Sequence, residues 1–220
     1  MNTYETVVYY SYSLGDKNSK IRYSQLKKSY TTLRKHNPKI PVLIFSTVAL
    51  PGFDTIPYKF KDIPEEYRDN VSHKHYHYET LKRFQRALYL DCDTIINGDL
   101  NDVFNECKDS NTVYYGEDKD GGLNSGVLYF DTKVLQRFHT NIEFYFQQMK
   151  QNLPTFKFLS EQVSYSNTLD HILARKKLIP KHLIGVGGNE CFRKKQLIQH
   201  YFTSNTHKFI WKDLKHTKYT

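Results

Sequence analysis

The first 47 residues constrain the fold most. The run 6-TVVYYSYS-13 is rich in β-branched and aromatic types and reads as a strand. A loop over 14–20 follows. In 24-SQLKKSYTTLRKHN-37, Leu26, Tyr30 and Leu33 recur at helical spacing, and the pattern stops at Asn37-Pro38. The apolar run 41-PVLIFST-47 then reads as a buried strand. Strand, helix and strand in so short a span make a βαβ unit. Such a unit forces the two strands parallel and predicts an α/β sheet.

The rest of the chain continues in that grammar. Residues 48–70 hold Pro51, Pro57 and Pro64 and read as loops. Tyr78, Leu81 and Phe84 predict a helix over 73–85, leading into a strand at 87–91. A short helix is expected at 101–107, strands at 112–116 and 126–131, and a helix over 132–151. A further helix is expected over 161–176 and a strand at 183–186. No repeat, low-complexity block or linker is visible, and 220 residues suit one core, so 1–220 is expected to be one domain.

Composition narrows the class. The chain is 39% apolar and 15% aromatic, as a folded globule requires. No apolar run approaches the roughly 20 residues that span a bilayer, and residues 1–20 lack a signal-peptide pattern. Cys92, Cys107 and Cys191 are sparse, odd in number and without a C-x-x-C pair, which suits a reducing compartment and disfavours structural zinc. The expectation is a soluble, cytoplasmic protein, or a soluble domain of a longer chain, including one encoded by a virus. The net charge of +9 could attract anions, but the basic residues are dispersed apart from 193-RKKQ-196 and the tail 205–220. No nucleic-acid-binding signature accompanies them, so no nucleic-acid partner is expected.

The segment 86-RALYLDCDTIINGDLNDVF-104 carries the chemistry. It runs apolar to Leu90 and then presents Asp91-Cys92-Asp93. Pleat alternation would point Asp91 and Asp93 one way and Cys92 the other. Ligands of parallel α/β sheets bind beyond the carboxyl ends of the strands. Two carboxylates there would repel unless paired, and Mn²⁺ or Mg²⁺ would neutralise them while holding phosphate oxygens. The alternative is local: Asp93 caps the turn 94–99 and Asp91 accepts backbone N–H groups. An EF-hand loop is excluded because Ile95 and Ile96 stand where it needs an oxygen ligand and a glycine. A haloacid-dehalogenase-type phosphatase, with Asp91 as nucleophile, remains an alternative. Its D-x-D normally ends the first strand, whereas this one follows a complete βαβ unit.

Taken together, 89-YLDCDTIINGDLNDVF-104 and 123-LNSGVLYFD-131 resemble glycosyltransferase family 8, the group of glycogenin and the bacterial lipooligosaccharide galactosyltransferases. The resemblance covers about residues 5–170 and is weaker over the C-terminal 187–220. It implies a single-domain GT-A fold, a Rossmann-like nucleotide-diphospho-sugar transferase with a mixed, mostly parallel sheet. It also implies a UDP-sugar donor, Mn²⁺ (or Mg²⁺), and transfer of a hexose to an acceptor hydroxyl with retention of configuration. The acceptor could be glycan, protein or lipid. A sugar-nucleotide-binding protein without turnover is the other alternative.

By that resemblance, Asp91, Asp93 and His200 are the metal ligands, with His207 a competitor for the histidine role. Tyr10, Ser11 and Tyr12 at the first strand's end would bind base and ribose, although family members are usually Ala/Thr-rich there. Lys74, Cys92 and Ser125 join the donor site, and Asn124 would contact the donor sugar, with Gly126 allowing close approach. Glu161-Gln162 stands where the family has Asp-Gln, so Glu161, Gln162 and Asn124 are the candidate catalytic residues. The late family motif is only partly present in 200-HYFTSNTHKFIW-211, which lacks its Gly and Pro. Lys208 is its candidate diphosphate contact, with Trp211 closing the match. His73, His75 and His77 would share a face on a strand and suggest zinc, but splay apart at a helix start. Surface or diphosphate-rim histidines are therefore expected.

Overall fold

The computed structural model describes residues 6–12, 19–58, 74, 77–118, 121–156, 160–187 and 196–201. Its elements, in chain order, are β1 (Thr6–Tyr12), α1 (Ser19–His36), β2 (Val42–Ser46), β3 (Ile56–Pro57), α2 (Tyr78–Leu81), β4 (Arg86–Leu90), β5 (Thr94–Ile96), α3 (Asn101–Glu106), β6 (Thr112–Glu117), β7 (Leu123–Asp131), α4 (Thr132–Thr140), α5 (Ile142–Phe156), α6 (Ser160–His171), β8 (Arg175–Leu178), β9 (Ile184–Val186) and β10 (Ile198–His200).

The expected βαβ unit forms, with β1 and β2 parallel and Tyr10 beside Ile44. Seven strands make the central sheet in the order β3-β2-β1-β4-β7-β6-β8. All neighbours are parallel except where β7 runs against β4 and β6. Strand alternation divides the core between the two faces of the sheet. Val7, Tyr9, Ala87 and Tyr89 face a cluster with Val134, Phe138, Tyr145, Met149, Tyr165 and Leu169 from α4, α5 and α6. Val8, Tyr10, Leu88 and Leu90 face Leu26, Leu33, Val103 and Ile198. Burying the sheet on both faces is why its inner strands read as continuous apolar runs.

Local chemistry sets the ends. Arg34 and Lys35 occupy the last turn of α1, where positive charge interacts favourably with the helix dipole. Asp131 caps α4 by accepting from the Lys133 N–H. The helix expected over 132–151 is two helices: at Asn141 the backbone N–H bonds the Arg137 and Phe138 carbonyls and the side-chain amide takes Arg137 O again.

A second sheet, β5-β10-β9, lies beside α1. Neither β5 nor β10 is expected from periodicity, since both are three residues long. The helix expected over 161–176 ends at His171, and β8 adds to β6 as a parallel edge strand. The helix expected over 73–85 is described only as the four-residue α2. None of the helices is long and apolar enough to cross a membrane, among the described residues.

Candidate functional site

The carboxyl ends of β1 and β4 and the start of β7 meet at one end of the main sheet. Strand β4 stops at Leu90, so Asp91, Cys92 and Asp93 form a turn rather than a strand continuation. The turn is pinned by its backbone. Asp91 N–H donates to Gly126 O at 2.7 Å, and Thr94 Oγ1 donates to Asp91 O at 2.9 Å. The Tyr201 N–H reaches Asp93 O at 3.1 Å. Turn geometry, not pleat alternation, therefore brings the two carboxylates together.

His200 arrives on β10, paired antiparallel to β5 with His200 opposite Thr94. Its Nε2 lies 3.2 Å from Asp93 Oδ1 and 3.5 Å from Asp91 Oδ2. One ligand atom from each of the three residues falls within a 4.8 Å cluster. Gly126 makes the approach possible. A Cβ there would stand 2.0 Å from His200 Cε1 and 2.7 Å from Asp91 Oδ2. What comes close to Gly126 is the imidazole of His200 and the carboxylate of Asp91.

The electrostatics follow from proximity. Burial pushes the Asp91 carboxyl up, but the hydrogen bond from His200 and the charge of Lys74 outweigh it and bring it down to about 2. Burial alone would lower His200, yet the charge of Asp93 and the bond to Asp91 raise it to about 10. Without a metal, an imidazolium thus supplies positive charge between the carboxylates. Burial, then Asp91 and Asp93, push the Cys92 thiol far up, so the residue between them is no nucleophile. Two carboxylate oxygens and one imidazole nitrogen form a hard donor set that fits Mn²⁺ or Mg²⁺ and leaves positions for other oxygens. The space over Gly126, which a Cβ would fill, lies against two of those donors.

A second polar group adjoins the first. Lys74 is completely buried. Its Nζ donates to Ser125 O at 2.6 Å and pairs with Glu161 Oε1 at 3.0 Å, while Ser125 Oγ donates to Glu161 Oε2 at 3.3 Å. Lys74 is therefore not a solvated helix lysine. Asn124 and Ser125 lie on β7, so 124-NSG-126 is strand rather than turn. Asn124 Oδ1 accepts from the Gly126 N–H at 3.0 Å, and its buried Nδ2 has no partner among the described residues. Gln162 follows Glu161 in the first turn of α6, half-buried.

At the end of β1, Tyr10 is fully buried with its hydroxyl on Ser29 Oγ at 2.9 Å, and Tyr12 is also in the core. Ser11 is half-buried and bonds His77 Nε2 at 3.0 Å. His77 is not a surface histidine: it stacks on Phe45 with ring centroids 3.6 Å apart. Lys208, His207, Trp211, His73 and His75 lie outside the described residues.

Sequence reasoning missed Tyr89. Its hydroxyl donates to Asp91 Oδ1 and its ring lies 4.7 Å from Lys74 Nζ, so it touches both polar groups. The signal was present, since Tyr89 lies near the end of β4 and only two residues before Asp91. A cavity of about 820 Å³ lies at the opposite end of the sheet, by Thr6 and Arg86. Its Asn37 and Arg86 side chains are spent on backbone carbonyls, which makes it a poorer candidate than the Asp-His cluster.

No family model matches this chain, and no curated protein matches it by sequence. Solved structures do. The glycosyltransferase GlyE of Streptococcus pneumoniae TIGR4 superposes with a TM-score of 0.65 at 17% identity, over 91% of this chain and 56% of GlyE. The chain thus spans just over half the length of GlyE. A glycosyltransferase involved in the glycosylation of the major capsid of PBCV-1 gives 0.58 at 13% identity, over 92% of this chain and 96% of that one. The galactosyltransferase LgtC, solved in complex with donor and acceptor sugar analogues, gives 0.52 at 11%, over 96% and 97%. At such identities the likeness is one of fold: the chain has the GT-A-like fold of glycosyltransferases, as its motifs lead one to expect.

Proposed function

We propose that this chain is a metal-dependent glycosyltransferase that moves a hexose from a UDP-sugar to an acceptor hydroxyl, with retention of configuration. The observation that carries the proposal is the convergence of Asp91, Asp93 and His200 at the carboxyl end of a GT-A-like sheet. These three residues would hold Mn²⁺ or Mg²⁺. The cation, when bound, would act as a Lewis acid for the departing diphosphate and orient the donor.

The chain's own residues supply the remaining functions. Asn124 offers a buried amide N–H donor for a sugar oxygen, held in place by the bond from Gly126 N–H to its Oδ1. Glu161 accepts from Ser125, and its pairing with Lys74 holds the carboxylate in place to receive a sugar hydroxyl. Gln162, the next residue on α6, would place its amide near the reacting carbon. Lys74 acts chiefly through Glu161 and the Ser125 carbonyl, given how completely it is enclosed. Ser11, beside His77, is the half-buried polar group at the end of β1 and is the better candidate there for ribose. Tyr10 and Tyr12 would support it from the core.

Calorimetric titration of UDP with and without Mn²⁺ tests the reading. Binding that needs Mn²⁺, followed by transfer from a UDP-sugar, is the expected result. Binding without transfer to any acceptor or water would leave a sugar-nucleotide-binding protein. Loss of UDP binding together with phosphomonoester hydrolysis would favour the phosphatase.

A further inference from the structure

The two oxygens of Asp91 have different surroundings. Oδ1 accepts a hydrogen bond from the Tyr89 hydroxyl. Oδ2 faces His200 Nε2 at 3.5 Å and borders the space over Gly126. The residue's backbone is tied to Gly126 O, so its side chain is held at both ends. Tyr89 is in turn immobilised. Its ring packs on Tyr9 at 5.2 Å between centroids and lies beneath the Lys74 ammonium, which is itself fixed on Ser125 and Glu161.

We propose that Tyr89 sets the metal selectivity of the site by keeping Asp91 a one-oxygen ligand through Oδ2. This rests on the reading of Asp91, Asp93 and His200 as a cation site. Ca²⁺ takes more oxygen ligands, at longer distances, and readily accepts both oxygens of one carboxylate. Smaller divalent ions favour an octahedron in which a carboxylate supplies a single oxygen. The phenol takes one acceptor site of Oδ1 and restrains rotation of the carboxylate, so turning it to set both oxygens on one cation works against that bond. Tyr89 therefore pre-orients Asp91 for Mn²⁺ or Mg²⁺ and works against Ca²⁺, as outer hydrogen bonds tune a metal site in general. It is a positioning residue, acting through Asp91.

Tyr89→Phe is a clean test, because it keeps the ring, the Tyr9 packing and the Lys74 contact and removes only the hydroxyl. The Asp91 side chain is 37% exposed, so losing the phenol does not seal its charge away from solvent. Affinity for Mn²⁺, read by paramagnetic resonance of the unbound ion, and for Ca²⁺, read by calorimetry, is measured on both proteins. Mn²⁺ affinity should fall about tenfold while Ca²⁺ affinity holds or rises, so the preference for Mn²⁺ narrows by at least that factor. Equal weakening of both ions, or an unchanged ratio, overturns the proposal. A wild-type protein that binds neither ion overturns the cation-site reading beneath it, which is a separate and distinguishable result.

Discussion

Nε2 of His200 lies 3.2 Å from Oδ1 of Asp93, although half the chain separates them in sequence. The contact exists because β10 pairs with β5, the strand that begins one residue after Asp93. Replacing His200 by Ala should therefore leave the main sheet intact and remove one of the three proposed ligands. Mn²⁺ affinity should fall by at least about 100-fold while the far-ultraviolet dichroism stays that of the wild type. Retained Mn²⁺ binding in His200→Ala would move the ligand role elsewhere, with His207 next to be tested.

The same triad gives the metal-free protein a pH signature. His200 is raised from 6.5 to about 10 in the folded state, so its stabilisation is complete below the unfolded value and is lost as pH rises through about 10. Asp91 is depressed from 3.8 to about 2, so its stabilisation is present above 3.8 and is lost as pH falls through about 2. In chelator-treated protein the melting midpoint should fall between pH 7 and pH 10, a window set by the His200 shift. His200→Asn should flatten that slope. A wild-type slope that survives in the variant would assign it to other groups.

Gly126→Ala probes the close approach. The added Cβ would overlap the His200 ring, and a rigid strand on one side and a paired strand on the other leave little room to yield. A cost of about 1–3 kcal/mol in denaturant unfolding is expected, with Mn²⁺ binding lost because the imidazole is displaced. Full Mn²⁺ affinity in the alanine variant would show that His200 does not need this position.

The Lys74–Glu161 pair calls for a double-mutant cycle. Lys74→Met strands a mostly buried carboxylate, and should cost about 3 kcal/mol of stability. Adding Glu161→Gln to it should recover much of that loss, since the charge then has gone too. Additive single effects in urea titrations would show that the two groups do not interact.

The legible part of this fold was the part built on apolar strands. Strands β1, β2 and β4 place buried apolar residues on both faces of the sheet, and the runs 6-TVVYYSYS-13, 41-PVLIFST-47 and 87-ALYLD-91 announce them by composition. Strand β8 does not, because 175-RKKL-178 is an edge strand whose Lys176 and Lys177 pair with Asp170 and Asp109 at the surface. Strands β5 and β10 are too short to show a period, and their pairing is long-range. At the site, the identities of Asp91 and Asp93 were readable, but not the turn that joins them. His200 was reachable only through a family resemblance, because nothing local to residue 200 announces its partners. Tyr10 read as a binding aromatic and is a core residue, since alternation places it against α1.

The strand that carries His200 has a consequence for how the protein is made. Strands β1 to β8 include every member of the main sheet, and all of them leave the ribosome before β10 does. The scaffold can thus assemble around an Asp91–Asp93 pair that still lacks its imidazole. The Asp91–Asp93–His200 cluster is complete only once one three-residue strand has returned to pair with β5, so the order of synthesis places the site's histidine after the strands of the main sheet.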